Sequence, residues 1–181
     1  KNTHQLSDVD IPWGSQFLSN DRIIFTRKSG VLYNYNFSTK QLTKINGAPP
    51  SVNFGQGGLL DVLMIDDELY CSYTVRTNNS NYTLALGKGK LINDELIEFK
   101  EFFRADPPSS ANVHFGSRLA YQKNNDGNEY IYLSMGDRGV PENAQNLSVH
   151  AGKILRFNRD LTIPEDNPFV KDAKVKPEIY S

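Results

Sequence analysis

The sequence predicts an all-β chain, a β-propeller of four-stranded antiparallel blades with about three blades in its 181 residues. Three observations carry this. No window of helical length holds a 3.6-residue apolar period, whereas short apolar or alternating runs recur along the chain. Asp, Asn and Gly clusters separate these runs where one strand must turn into the next. The runs also fall into groups that begin alike at Trp13, Gly58 and Gly116. A repeat of roughly 40 to 60 residues is the mark of a propeller blade of about four strands.

Taken in order, the first group reads Gly14 to Leu18, Arg22 to Arg27, Gly30 to Tyr35 and Gln41 to Ile45, with Asn20-Asp21 as the first turn. The second reads Leu59 to Ile65, Glu68 to Arg76, Tyr82 to Gly87 and Leu96 to Arg104, turning at Asp66-Asp67. The third reads Ser117 to Gln122, Glu129 to Met135 and Gly152 to Asn158, turning at Asp126-Gly127-Asn128, with Pro177-Glu178-Ile179-Tyr180 as its last strand. The second strands compare well: Arg22-Ile23-Ile24-Phe25, Glu68-Leu69-Tyr70-Cys71 and Glu129-Tyr130-Ile131-Tyr132-Leu133. Blades of about 13–45, 58–104 and 116–181 follow. A β-sandwich with coincidental spacing accounts for the same alternation. Propellers close with roughly four to eight blades, and three would leave apolar sheet faces uncovered. The expectation is the N-terminal part of a longer propeller.

Composition narrows the function classes. Twenty Lys and Arg against 21 Asp and Glu give a formal net charge of −1, with both signs scattered. Nothing suggests a nucleic-acid partner. The longest apolar runs, such as Val62-Leu63-Met64-Ile65, are too short to span a bilayer. A single cysteine, Cys71, excludes an intrachain disulfide and reads as a small buried hydrophobe. Lys1-Asn2-Thr3-His4 shows no leader-like apolar segment, as in an exported protein after cleavage. Three sequons, at Asn36, Asn81 and Asn146, are triplets that also arise by chance.

Chemistry points to three loops. Pro49 to Gly58 is Gly-rich and holds Gln56, an amide able to bond a sugar hydroxyl or a cofactor carbonyl. Asp106 to His114 ends on an imidazole, the side chain suited to taking a proton near neutral pH. Gly136 to Gln145 carries Asp137 directly after a strand. If the strands following His114 and preceding Asp137 pair as a hairpin, the two side chains become neighbours. A carboxylate would then fix the ring tautomer and raise the basicity of the other nitrogen. Two unrelated loop residues are the plain alternative. His150 is expected to bond a backbone group at a strand entry, and His4 carries no argument. No cluster has zinc-ligand spacing, and Asp66-Asp67 and Glu165-Asp166 are either calcium contacts or solvated turns.

Read together, Ile11-Pro12-Trp13-Gly14, Gly55 to Asp61, His114 to Leu119, Tyr132 to Gly139, Gly152 to Asn158 and Ile163 to Phe169 form an ordered set. In this order and spacing the chain resembles the soluble quinoprotein glucose/sorbosone dehydrogenases, the PQQ-dependent aldose sugar dehydrogenases, over nearly its whole length. The resemblance implies a six-bladed β-propeller holding pyrroloquinoline quinone (PQQ) and Ca2+, which oxidises an aldose at C1 to the lactone by hydride transfer to the quinone. It implies that His114 is the general base, Asp137 the carboxylate supporting it, and Gln56 a residue of the sugar site. Arg118 and Gln145 lie in matching motifs with structural or loop-shaping roles. An external electron acceptor, a possible homodimer and a periplasmic or secreted setting are implied as well.

Two departures qualify what the resemblance implies. Residues that grip the cofactor and calcium are expected mainly after Ser181, so none is assigned here. Position 113 is Val, where glucose-oxidising members carry an acidic residue, so the substrate is an aldose rather than glucose specifically. The alternatives are a non-catalytic propeller that binds a glycan or a protein, and a calcium lactonase. The latter would need a carboxylate and amide cage that the sequence does not display.

Overall fold

The computed structural model describes residues 10–77 and 80–181. His4 lies outside the described residues. Among them, eleven strands form three antiparallel sheets. The first is β1 (Pro12–Ser19), β2 (Arg22–Arg27), β3 (Val31–Asn36) and β4 (Gln41–Ile45) in chain order. The second is β5 (Leu59–Ile65), β6 (Glu68–Arg76), β7 (Tyr82–Ile92) and β8 (Glu95–Arg104). The third is β9 (Leu119–Lys123), β10 (Glu129–Ser134) and β11 (Ile154–Asn158). The leading strands β1, β5 and β9 contact one another in succession, so the sheets stand as three consecutive propeller blades, not as the two facing sheets of a sandwich.

The period-2 pattern of β6 explains the stacking. Leu69, Cys71, Tyr73 and Val75 face a cluster with Ile24, Leu32 and Ile45 of the first blade. Tyr70 turns to the opposite cluster with Leu133, Leu155 and Phe157 of the third. The middle blade is thus apolar on both faces, and each fully buried Leu or Ile contributes about 1.5–3 kcal/mol. Cys71 is buried, as expected.

Polar seams join the blades near their leading strands. Thr26 Oγ1 donates to the Leu60 carbonyl at 2.6 Å, and Ser72 Oγ donates to the Ser117 carbonyl at 2.8 Å. Buried Asp61 accepts the Leu119 N–H at 2.8 Å and the Arg118 guanidinium at 3.0 Å. Burial pushes its carboxyl up, and the Leu119 N–H opposes that.

Three of the shifts from the sequence bounds have a visible physical cause. β7 runs on past Gly87 to Ile92, because β8 presses bulges onto it and only glycine fits at 87 and 89, where a Cβ would meet the β8 backbone. β9 begins at Leu119, not Ser117, because Ser117 holds φ 102°, outside strand geometry. The expected last strand is reduced to one bridge, Leu155 to Ile179, and Pro177 brings no N–H to lengthen it. The acidic pairs serve arginines: Asp66 bonds Arg159 at 2.6 Å and Asp166 bonds Arg156 at 2.8 Å.

Candidate active site

Pairing of β9 with β10, Leu119 opposite Leu133, sets the segment before β9 against the segment after β10. His114 to Gly116 therefore crosses Met135-Gly136. The crossing is tight: a Cβ at Gly136 would collide with the His114 backbone, and one at Gly116 would fall 2.7 Å from the Met135 Cα and the Gly136 nitrogen. Both positions need a bare backbone for that close approach.

The crossing brings the two expected residues together. His114 Nδ1 lies 2.7 Å from Asp137 Oδ1. The same oxygen accepts the Gly139 N–H at 2.8 Å. The His114 ring and then the Gly139 N–H hold the Asp137 carboxyl below the usual carboxylate range. An ionised Asp137 accepts, so Nδ1 carries a hydrogen, and in the neutral ring Nε2 then holds the lone pair. The His114 side chain is 53% exposed, so Nε2 can be reached from outside.

Gln56 comes from the loop that leads into the second blade. Gly55 leans on Asn112, whose carbonyl accepts the Gln56 N–H at 2.7 Å. The Gln56 side-chain carbonyl accepts the His114 backbone N–H at 2.8 Å, which leaves its NH2 group to donate elsewhere. All three expected site residues are therefore in one cluster. Val113 sits beside Gly139, whose Cβ position lies 3.6 Å from Val113 Cγ2.

Two buried cations escaped the sequence reading. Arg138 donates to the Val113 carbonyl at 2.6 Å and to the Ala111 carbonyl, and its guanidinium stacks 3.4 Å from the Phe115 ring centroid. Burial pushes its pKa down to about 10, so it remains charged at neutral pH. Lys153 donates to the carbonyls of Asn143 and Ala151, fastening the 3-10 turn Pro141–Gln145 that follows Asp137. Desolvation lowers its pKa as well. Arg138 directly after Asp137 in a Gly-flanked loop was the available signal, but burial is not a property of sequence.

His150 is structural. The Asp106 N–H donates to Nδ1 at 2.9 Å, so Nε2 holds the ring hydrogen and donates to Glu178 at 3.1 Å. Arg118 lies on Asp61, with its side chain 66% exposed. Among the described residues no three His, Cys, Asp or Glu side chains converge on a point that could hold a metal. None of the helices there is long and apolar enough to cross a membrane.

Comparison with known proteins places this geometry. A family model, glucose/sorbosone dehydrogenase, matches residues 9–181. The aldose sugar dehydrogenase YliI of Escherichia coli (strain K12) is 32% identical over 189 residues, covering 99% of this chain and 50% of that protein. The crystal structure of the soluble aldose sugar dehydrogenase from Escherichia coli in the apo-form superposes with a TM-score of 0.86 at 32% identity, over 94% of this chain and 50% of that one. The PQQ-bound form of aldose sugar dehydrogenase from Streptomyces coelicolor shares the fold, with a TM-score of 0.69 at 23% identity, over 88% of this chain and 48% of that one. The chain spans about half the length of the curated relatives it matches.

Proposed function

Because the chain belongs to the glucose/sorbosone dehydrogenase family, we propose that it supplies the general base of a quinone-dependent aldose dehydrogenase that converts a sugar's C1–OH to the lactone. Three blades in about half of the relatives' length match a six-bladed ring as the whole protein. The observation that carries the reading is the His114–Asp137 contact, with the Gln56 amide bonded to the His114 backbone N–H.

The fit of a quinone cofactor is judged on donor chemistry. Such a site would call for a base beside the sugar carbon, cations for an anionic cofactor and oxygen ligands for a metal. The base is here. Arg138 and Lys153 are committed to backbone carbonyls, and Arg118 is committed to Asp61. The described residues thus fit the base side of the site and not the gripping side. When bound, the quinone supplies the acceptor for the hydride that leaves C1.

The protein's part is proton handling and orientation. His114 Nε2 takes the proton of the C1 hydroxyl while the C1 carbon becomes a carbonyl. Nδ1 keeps its hydrogen and donates it to Asp137, whose charge stabilises the imidazolium that forms. The Gln56 NH2 is placed to donate to a sugar hydroxyl. Val113 offers a sugar no charge, which favours a range of aldoses over one tightly held hexose.

The experiment is dye reduction by aldoses in the full-length protein supplied with quinone and calcium. His114→Ala should lower kcat by on the order of 10²- to 10⁴-fold. Asp137→Asn should act through the wrong tautomer and lower kcat by a comparable factor with KM little changed. Turnover undiminished in His114→Ala would remove the reading.

A further inference from the structure

We propose that Arg138 is a positioning residue for His114: with Gln56 it clamps the Val113–His114 peptide at both ends and so sets the direction of the imidazole. The inference rests on the reading of His114 as the base.

The peptide's carbonyl is held by the Arg138 guanidinium at 2.6 Å, and its N–H by the Gln56 carbonyl at 2.8 Å. The first grip comes from the third blade's loop and the second from the loop that leads into the middle blade. A peptide plane fixed at both ends cannot swing. That held plane, with the His114 carbonyl packed against Gly136 on the other side, supports His114 at φ 51°, in the left-handed region that a non-glycine residue enters at a cost of about 1–3 kcal/mol. Relaxing that angle would swing the Cα–Cβ bond away and break the Asp137 contact.

A second observation gives Arg138 its purpose. Arg138 is 3% exposed, and among the described residues its guanidinium faces no carboxylate. A buried, unpaired cation is expensive, and a Met of similar length would fill the space at lower cost. What Met lacks is the planar fork that reaches the Ala111 and Val113 carbonyls together while lying on Phe115. Arg138 is also the chain neighbour of Asp137. One short loop thus holds the ring of His114 through one residue and its backbone through the next.

The test starts with the full-length protein free of quinone. Ring ¹⁵N NMR at fixed pH should show wild-type His114 as a single Nδ1–H tautomer. Arg138→Met and Gln56→Met should each populate the second tautomer. Gln56→Glu, which keeps an oxygen for the His114 N–H, should restore the single one. With quinone and calcium added, Arg138→Met should lose on the order of 10²-fold in kcat with KM nearly unchanged.

If Arg138→Met lowers Tm but leaves the His114 ring signals and kcat as in wild type, the clamp is wrong. If Arg138→Met fails to fold, exposed Gln56 carries the test, and unchanged ring signals in Gln56→Met overturn the proposal. If the ring signals respond as expected but His114→Ala turns over sugar normally, the clamp stands and the catalytic reading falls.

Discussion

At the scale of single residues, the site depends on backbone strain and on the absence of side chains. His114, Gly116 and Ser117 all hold positive φ within four positions. Gly136 has room for nothing but a hydrogen against the His114 backbone. Gly136→Ala should therefore push the His114 loop off Asp137 and cut kcat by at least about tenfold. The blades should lose little stability, since Gly136 follows the end of β10. Kinetics set beside thermal melting would check this, and equal losses in both would assign Gly136 to the core instead. His114 and Asp137 were legible in the sequence because imidazole and carboxylate at opposite ends of a hairpin announce themselves. Gln56 was legible as a polar residue in a tight loop, but its grip on a peptide N–H was not, since that partner lies 58 positions away.

At the scale of elements, blades are held by apolar faces and by polar contacts at their edges. Arg159 reaches Asp66 at 2.6 Å, Glu129 at 3.0 Å and Glu68 at 3.1 Å, tying the middle blade to the third. Hydrogen bonds from Tyr121, Arg159 and Lys123 hold the Glu129 carboxyl down to about 2. A depressed carboxylate contributes stability above its unfolded value, near 4.3, and loses it as pH falls through the folded value. Arg159→Met should thus lower the melting temperature at pH 7, and the gap from wild type should shrink as pH drops from 4 toward 2. Thermal melts across that range would measure it. A gap independent of pH would mean that Arg159 acts by packing alone. The strands themselves were legible because alternation marks them. β7 ran past its expected end because its glycines accommodate a neighbour's bulges, and a bulge is a property of the pair.

At the scale of the whole molecule, the outer faces of the first and third blades carry exposed aromatic and aliphatic groups. Phe17 is 63% exposed and Ile11 57% on one side, and Tyr180 is 40% exposed on the other. In a closed ring these faces meet further blades. The 181 residues produced alone should therefore self-associate and bind a hydrophobic dye, whereas the full-length protein should not. Sedimentation and dye fluorescence would decide it, and a stable, dye-silent monomer would count against the ring.

The sequence by itself determined the all-β class, the repeat of blades, most strand bounds and the residues proposed for the chemistry. Those follow from side-chain alternation, turn composition and residue type, all local along the chain. Only the tertiary structure decided that His114 sits in the left-handed region with its peptide held by Arg138 and Gln56, and that Asp61 and Arg159 tie neighbouring blades together. Those contacts join positions far apart in sequence. Their energies come from burial and from the partner supplied, neither of which a linear order of residues specifies.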